Sequence, residues 1–516
     1  MKKIILTITL LLLSSFCFAE TYYVKNGGND SLAGTSDATA WETVSKVNNT
    51  SMAVGDDVYF KCGDTWDLTY RFDMDWNGTV VDRAIIGSYY MDGGVEILGV
   101  AGDKPVFDCN KVYPTGDWPD CRYGQVVQVY NREYVTFKNL RVVNSRGHGF
   151  NFAWGTSIEA IGLETDSTTS CGIQFYDIEG GLIEDCDVRE SSQIYYEYPD
   201  HLWPDAINVC RYSNNITVRH CKVYESWGEG IGVYFYATNT IIENNIIYDT
   251  RSGKIYVANS KYVIIRNNIV YSTTNSTYWR WQGGVKFPSS GITLNDEPYE
   301  SHIPFISYAD VYNNFVAGCN WGISLATNSF VPEEDNFREG NVYNNTLVDN
   351  RTSIRTHNGP FTDCNIKNNV VWSITSTGEW PAQDCVCYYP DAANAITWSN
   401  NNWTTTAAYP YSGASDVIGA ANLKKISGWR SIVNWDDLTY DDFSITATSP
   451  GIETGANLGG SWEDLLEAEN INWSNDYFPS KDQDNYGTGW EMGADIYDVG
   501  GGPAPGVEKI YKGLFF

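Results

Sequence analysis

The chain has little charge, and only about a third of that charge is basic. It carries 34 Lys and Arg against 64 Asp and Glu in 516 residues, a formal net charge of −30 with charged residues at 19%. So few bases exclude a groove that tracks phosphates, and no nucleic-acid partner is expected. Histidine is scarcer still, and His148, His201, His220, His302 and His357 show no metal-ligand spacing. Beyond Leu13 no apolar run is long enough to span a bilayer, so no membrane span is expected. What is plentiful is Gly (47), Tyr (36) and Trp (19), within 42% apolar residues. That composition describes a turn-rich all-β protein with an ample core and many rings free for stacking.

The first residues read as an export signal. Lys2 and Lys3 precede an apolar run from Ile4 to Leu13, then Ser14, Ser15 and the small Ala19. Residues 1–19 are the expected signal peptide, and secretion to the periplasm or the medium is the expected destination. Export permits disulfides among the eleven cysteines that follow Cys17, and Cys109 with Cys121 is a candidate pair. An odd count leaves at least one thiol free, and Cys385-Val386-Cys387 is too tight for an ordinary bridge.

A repeat governs the middle of the chain. Segments beginning at Val218, Ile242, Ile265, Val311, Val342 and Ile366 each read apolar, polar, two Asn or their equivalents, then a short apolar strand, with weaker copies at Phe137 and Ile183. Steps of 24 and 23 residues recur, and two gaps of 46 fit two turns each. Such a period allows a leucine-rich repeat or a coil of parallel strands. The strands are Val, Ile, Tyr and Phe, and the corners are Asn pairs and Gly, which selects the coil. Asn tolerates a left-handed bend, and its amide can bond to the next Asn one turn along. The second Asn forms a column through Asn245, Asn268, Asn314, Asn345 and Asn369, with Cys186 and Cys221 in the same place earlier. Those two cysteines are therefore expected to be stacked interior residues. The crossover rule makes the coil right-handed.

A second strand aligns as 171–175, 205–209, 229–233, 253–257, 290–294 and 321–325. Its Ile and the residue two later point inward, while Gln174, Asn208, Tyr256, Thr293 and Ser324 point out. Domain bounds follow: 20–130 as N-terminal cap and first turns, 131–403 as the parallel β-helix core, and 404–516 as irregular closing strands and cap.

The two ends carry a family resemblance. The start, Tyr22-Tyr23-Val24 with Gly28-Asn29-Asp30, Gly34-Thr35, Trp41, Gly55-Asp56-Asp57-Val58 and Gly63-Asp64-Thr65-Trp66, resembles secreted right-handed parallel β-helix proteins of the pectin-lyase-like superfamily. So does the finish, from Asp442-Phe443 through Ser449-Pro450-Gly451-Ile452 to Trp490-Glu491-Met492-Gly493-Ala494-Asp495. The resemblance spans essentially all of the mature chain and implies the fold. For activity it implies only a range: polysaccharide lyases, glycoside hydrolases, epimerases and catalytically silent surface proteins.

Two insertions interrupt the repeat, Ser192 to Pro204 and about Thr273 to Phe305. Long loops on one side of a rigid coil build clefts, and Tyr196, Trp203, Trp279 and Trp281 are the rings expected to bind substrate, with Asn208 and Tyr256 from the outward row. The same rings would also serve simply to pack the loops on the coil.

Asp205 and Glu229 occupy one register on successive turns, so their backbones should lie ~5 Å apart. Two carboxylates so close raise one pKa or hold a cation. Two mechanisms fit. In a lyase, Asp205 and Glu229 bind calcium against a uronate carboxylate while Lys254 or Arg280 removes the adjacent proton. In a hydrolase, the two acids are the acid and the base or nucleophile. Stacked acids also serve as turn caps or as a structural calcium site, and a non-catalytic glycan-binding surface protein is the competing class. Pro204-Asp205-Ala206-Ile207 and Gly228-Glu229-Gly230-Ile231 look faintly like the acidic motifs of polygalacturonases, but Ser252-Gly253-Lys254 stands where their His motif belongs, so that mechanism does not carry over. The expectation is a secreted, monomeric carbohydrate-active enzyme on a polysaccharide substrate, a calcium-assisted lyase ahead of a hydrolase.

Overall fold

The computed structural model describes residues 19–115, 123–193, 204–282, 284–297, 306–327, 337–357, 361–372 and 396–403, with scattered positions between 413 and 492. Residues 1–18 of the expected signal segment, Cys121, Tyr196, Trp203 and the Cys385–Cys387 pair fall outside those residues. The chain divides between Val188 and Arg189 into two compact units.

In the first unit, β1 (Thr21–Val24), β2 (Asp57–Lys61), β3 (Ala84–Asp92), β4 (Glu133–Lys138), β5 (His148–Ile161) and β6 (Ile173–Glu184) stack in parallel, each on the next. Phenylalanine fills the interior: Phe137 meets Phe152 at 5.5 Å, and Phe152 meets Phe175 at 5.2 Å, edge to face. Cys109 is buried without a disulfide.

The second unit repeats the device with branched aliphatics. Its strands β7 (Asp205–Cys210), β8 (Glu229–Tyr234), β9 (Ile255–Val257), β12 (Ile292–Asp296), β13 (Trp321–Thr327) and β14 (Thr352–His357) pair in parallel. Between β9 and β12 the antiparallel hairpin β10 (Arg280–Gln282) and β11 (Val285–Phe287) stands apart from the coil. The registers align Ile207, Ile231, Ile255, Ile292, Ile323 and Ile354 in one wholly buried column. Each such side chain contributes roughly 1.5–3 kcal/mol by leaving water.

The Asn pairs divide the labour at the corner. The first of each pair, from Asn244 (φ 54°) to Asn368 (φ 58°), takes the left-handed bend. The second builds a ladder. Asn245 Nδ2 donates to Asn268 Oδ1 at 3.0 Å, and the same bond links Asn268 to Asn314, Asn314 to Asn345 and Asn345 to Asn369. Asn369 extends the ladder to Asn401. Cys221 begins it as a buried residue whose N–H donates to Asn245 Oδ1, and Cys186 is buried likewise. One spacing corrects the sequence reading. Ile265 pairs directly with Val311, and the ladder joins Asn268 to Asn314 across 46 residues, so that gap is one turn carrying the hairpin rather than two turns. The gap from Phe137 to Ile183 does hold two turns, with Ala160 between.

Candidate functional site

Asp205 opens β7, Glu229 opens β8, and the two are register partners. Strict alternation would turn both inward with Ile207 and Ile231. A local bend prevents this: Gly230 already faces the interior, where a Cβ would stand 2.8 Å from Ile247, so residues 230 and 231 are both inward and Glu229 is turned out. Asp205 is turned out too, and its carboxyl lies over Gly232. A Cβ at Gly232 would come within 2.3 Å of Asp205 Oδ2, so only glycine leaves room for the carboxyl there.

Asp205 is fully buried, and among the described residues no donor reaches its carboxyl oxygens beyond the Tyr234 phenol and the proton it shares with Glu229. Its neighbours are the Glu229 carboxyl and the Tyr234 phenol. Burial first, then the Glu229 charge, pushes Asp205 well above the ordinary carboxylate range. Burial also pushes Glu229 up, to about 7, against the bonds it makes to Asp205 and Ser252, with the Glu297 charge adding to the rise and Arg280 opposing it. Ser252 Oγ donates to Glu229 Oε1 at 3.0 Å. Two buried carboxyls in contact do not both ionise, so they titrate as one unit that shares a proton.

The floor of the site continues along the outward row. Asn208 Nδ2 donates to the Tyr234 hydroxyl, and Gly232 is the register partner of Tyr256. The Tyr256 phenol is pushed well above its usual range by burial and by the charges of Glu297 and Glu229, and it donates to Glu297. Asn295 Nδ2 donates to Glu297 Oε1 at 2.6 Å, and Asn259 Nδ2 holds the Glu297 carbonyl at 2.9 Å. Glu297 is thus a carboxylate fixed by two donors, in the electrostatic reach of the Asp205–Glu229 pair.

Of the residues expected from sequence, Asp205, Glu229, Asn208, Tyr256 and Arg280 come together. Lys254 does not, and its expected role beside Glu229 is corrected here. The Lys254 backbone lies under Gly230, the inward position of its turn. Its amine is wholly buried in the coil, donates to Ser289 Oγ at 2.9 Å and borders Cys319 and Asp249. Desolvation lowers its pKa. Trp281 stands 62% exposed on the hairpin with the Lys286 ammonium over its ring at 5.9 Å, and Trp279 is half-buried at the end of a short 3₁₀ turn. Sequence reasoning gave no role to Tyr234, Ser252 or Glu297. The signal for Glu297 was present as period-two continuation of the outward row through Thr293 and Asn295.

Beside Ser252 lies a cavity of roughly 300 Å³ whose walls include Arg251, Arg280, Trp281, Asn320 and Trp321.

The calcium reading needs six to eight oxygen ligands. Among the described residues no group of three or more His, Cys, Asp or Glu side chains converges as a metal site. Asp205 and Glu229 offer at most four carboxyl oxygens, so calcium held here would need carbonyl or water oxygens to complete its shell.

A family model described as "Periplasmic copper-binding protein (NosD)" matches residues 206–380, the stretch that carries most of the stacked strands of the second unit. The fold is a parallel β-helix. Within the stretch of β-helix matched by that model, the described Cys and His side chains form no metal cluster either. No curated protein matches the sequence. Among solved structures, a rhamnogalacturonan lyase is similar at 15% identity and a TM-score of 0.44, over 74% of this chain and 87% of its own. A pectate lyase is similar at 14% identity and 0.43, over 94% and 98%. A lacto-N-biosidase from Eubacterium ramulus is similar at 15% identity and 0.40, over 78% and 68%. No helix among the described residues is long and apolar enough to cross a membrane.

Proposed function

We propose that this β-helix is a carbohydrate-active enzyme that hydrolyses a glycosidic bond of a polysaccharide by general acid–base catalysis. The single observation that carries the reading is the buried Asp205–Glu229 pair, which meets carboxyl to carboxyl on the outer side of the coil. Carboxyls that flank a glycosidic bond stand roughly 5–10 Å apart, and a pair in contact is too close to do so. The pair therefore acts as one group. Glu229, the more accessible member, protonates the leaving glycosidic oxygen, and Asp205 and Ser252 hold it in place. Glu297 is the opposing carboxylate: as base it takes a proton from the water whose hydroxyl adds to the anomeric carbon. Tyr256 and Asn295 fix its orientation.

A second reading is β-elimination from a uronate-containing polysaccharide. One observation favours it, the Arg280 cation beside Glu229, which would pair with a uronate carboxylate. Against it stands the inward Lys254. The test is a panel of neutral, uronate and sulfated polysaccharides, with calcium or EDTA, followed for new reducing ends and for unsaturated-uronate absorbance. Reducing ends alone, insensitive to EDTA, are expected. Unsaturated product that rises with calcium overturns hydrolysis in favour of elimination, and retention of glycan with no product moves the protein to the non-catalytic binding class.

A further inference from the structure

We propose that the cavity walled by Arg251, Arg280, Trp281 and Trp321 is an anion-binding subsite, which takes a sulfate-ester or carboxylate group carried by the sugar next to the cleaved bond. The inference rests on the functional reading above and adds the substrate class. In a chain with 34 bases against 64 acids, cations are not placed together by composition. Here they are. Arg251 comes from the turn before β9 and Arg280 from the hairpin, and both line the one cavity. Two more arginines brace its far wall: Arg355 lies over the Trp321 ring at 3.8 Å and Arg351 over Phe287 at 4.3 Å. Arg351 also donates to Asn320 Oδ1, at 3.1 Å.

No Asp or Glu is among the described residues that line the cavity. Glu229 is reached through Ser252, which lines the cavity and bonds Glu229 Oε1, so the subsite and the proton-sharing pair have a side chain in common. A guanidinium keeps its charge at every working pH and offers a planar fork of donors that matches a carboxylate or sulfate. The exposed Trp281 ring supplies an apolar face on which a sugar ring stacks. The cavity volume of roughly 300 Å³ is in the range of a single small-ligand site. A fixed basic pocket inside an acidic protein gives a local field that admits an anionic substituent while the rest of the surface repels it.

The experiment is calorimetric titration of the full mature chain with inorganic sulfate and, separately, with acetate, at constant ionic strength. The variants are Arg251→Gln, Arg280→Gln and Glu229→Gln. Saturable binding of one anion is expected, weakened at least tenfold by Arg280→Gln and by Arg251→Gln. Glu229→Gln, which removes an acid beside the site, should bind as well as the wild type or better. Sulfate alone binding identifies a sulfate ester as the substituent, and acetate alone a carboxylate. Absence of saturable binding of either anion overturns the proposal, as does binding indifferent to both arginine substitutions. Anion binding that survives in a protein without hydrolytic activity would sink the hydrolase reading and leave the subsite standing.

Discussion

Asp205 and Glu229, the first residues of two neighbouring turns of the coil, meet carboxyl to carboxyl in a space that Gly232 leaves open. Neither acid is raised by its own chemistry. Burial raises both, and the contact forces one proton to be held between them.

Removing either acid should therefore separate activity from stability. Asp205→Asn and Glu229→Gln are each expected to lower turnover by ~10²–10⁴-fold. Neither should unfold the protein, because the new amide donates the hydrogen bond that the shared proton now makes. Turnover measured alongside a urea unfolding curve checks both halves of the expectation.

The pH dependence of stability has a definite sign. Both carboxyls are raised on folding, so their contribution is full below the ordinary carboxylate range and is lost as pH rises through the folded value, about 7 for Glu229. Unfolding free energy should thus fall between roughly pH 4 and 8. Asp205→Asn should flatten that slope and stabilise the protein at the alkaline end by ~1–3 kcal/mol. Denaturant melts of the two proteins at a series of pH values measure the difference in slope.

Gly232→Ala tests the geometry without touching an acid. The added Cβ would stand 2.3 Å from Asp205 Oδ2 and must displace the carboxyl. A loss of activity of at least tenfold is expected, with a stability change of only ~1–3 kcal/mol. Turnover and thermal unfolding of this one variant read both quantities.

Lys254 and Arg280 should part company. Lys254→Met fills the same interior volume and loses the bond to Ser289, at ~1–3 kcal/mol of stability, with turnover within a few-fold of wild type. Arg280→Gln, on the hairpin beside Glu229, should lower activity at least tenfold while leaving the unfolding midpoint in place. Steady-state assays of the two variants side by side make the comparison.

The asparagine ladder carries the last prediction. Asn314 Oδ1 accepts from both the backbone N–H and the side chain of Asn268, and all three groups are buried. Asn314→Ala leaves those donors without that acceptor and should destabilise the second unit by ~2–4 kcal/mol, read as a lower urea midpoint.

How much of this was legible in the sequence depended on repetition. The isoleucine column and the asparagine ladder recur in the same local residue pattern although the steps range from 23 to 46 residues, so their registers could be read by aligning the repeats, and the pairing of Asp205 with Glu229 came with them. Features that break the period were misread. A gap of 46 residues looks the same whether it holds two turns or one turn with a hairpin, and the pairing of Ile265 with Val311 and the Asn268–Asn314 bond distinguish them. Lys254 was assigned to the outer side because period two had been assumed through Gly230 and Ile231, which both face inward. Glu297 lies in an insertion, marked only by the period-two continuation of the outward row, and Arg251 sits at a turn beside a hairpin that the repeat itself does not contain.

The most direct measurement is the infrared difference spectrum of wild-type protein minus Asp205→Asn, taken in D₂O across the pH range. A protonated carboxyl band that persists at pH 6, above the ordinary carboxylate range, and is missing from the variant is the predicted result. Wild-type protein with both carboxyls fully ionised at that pH would contradict the proton-sharing pair, and with it the acid–base account of the site.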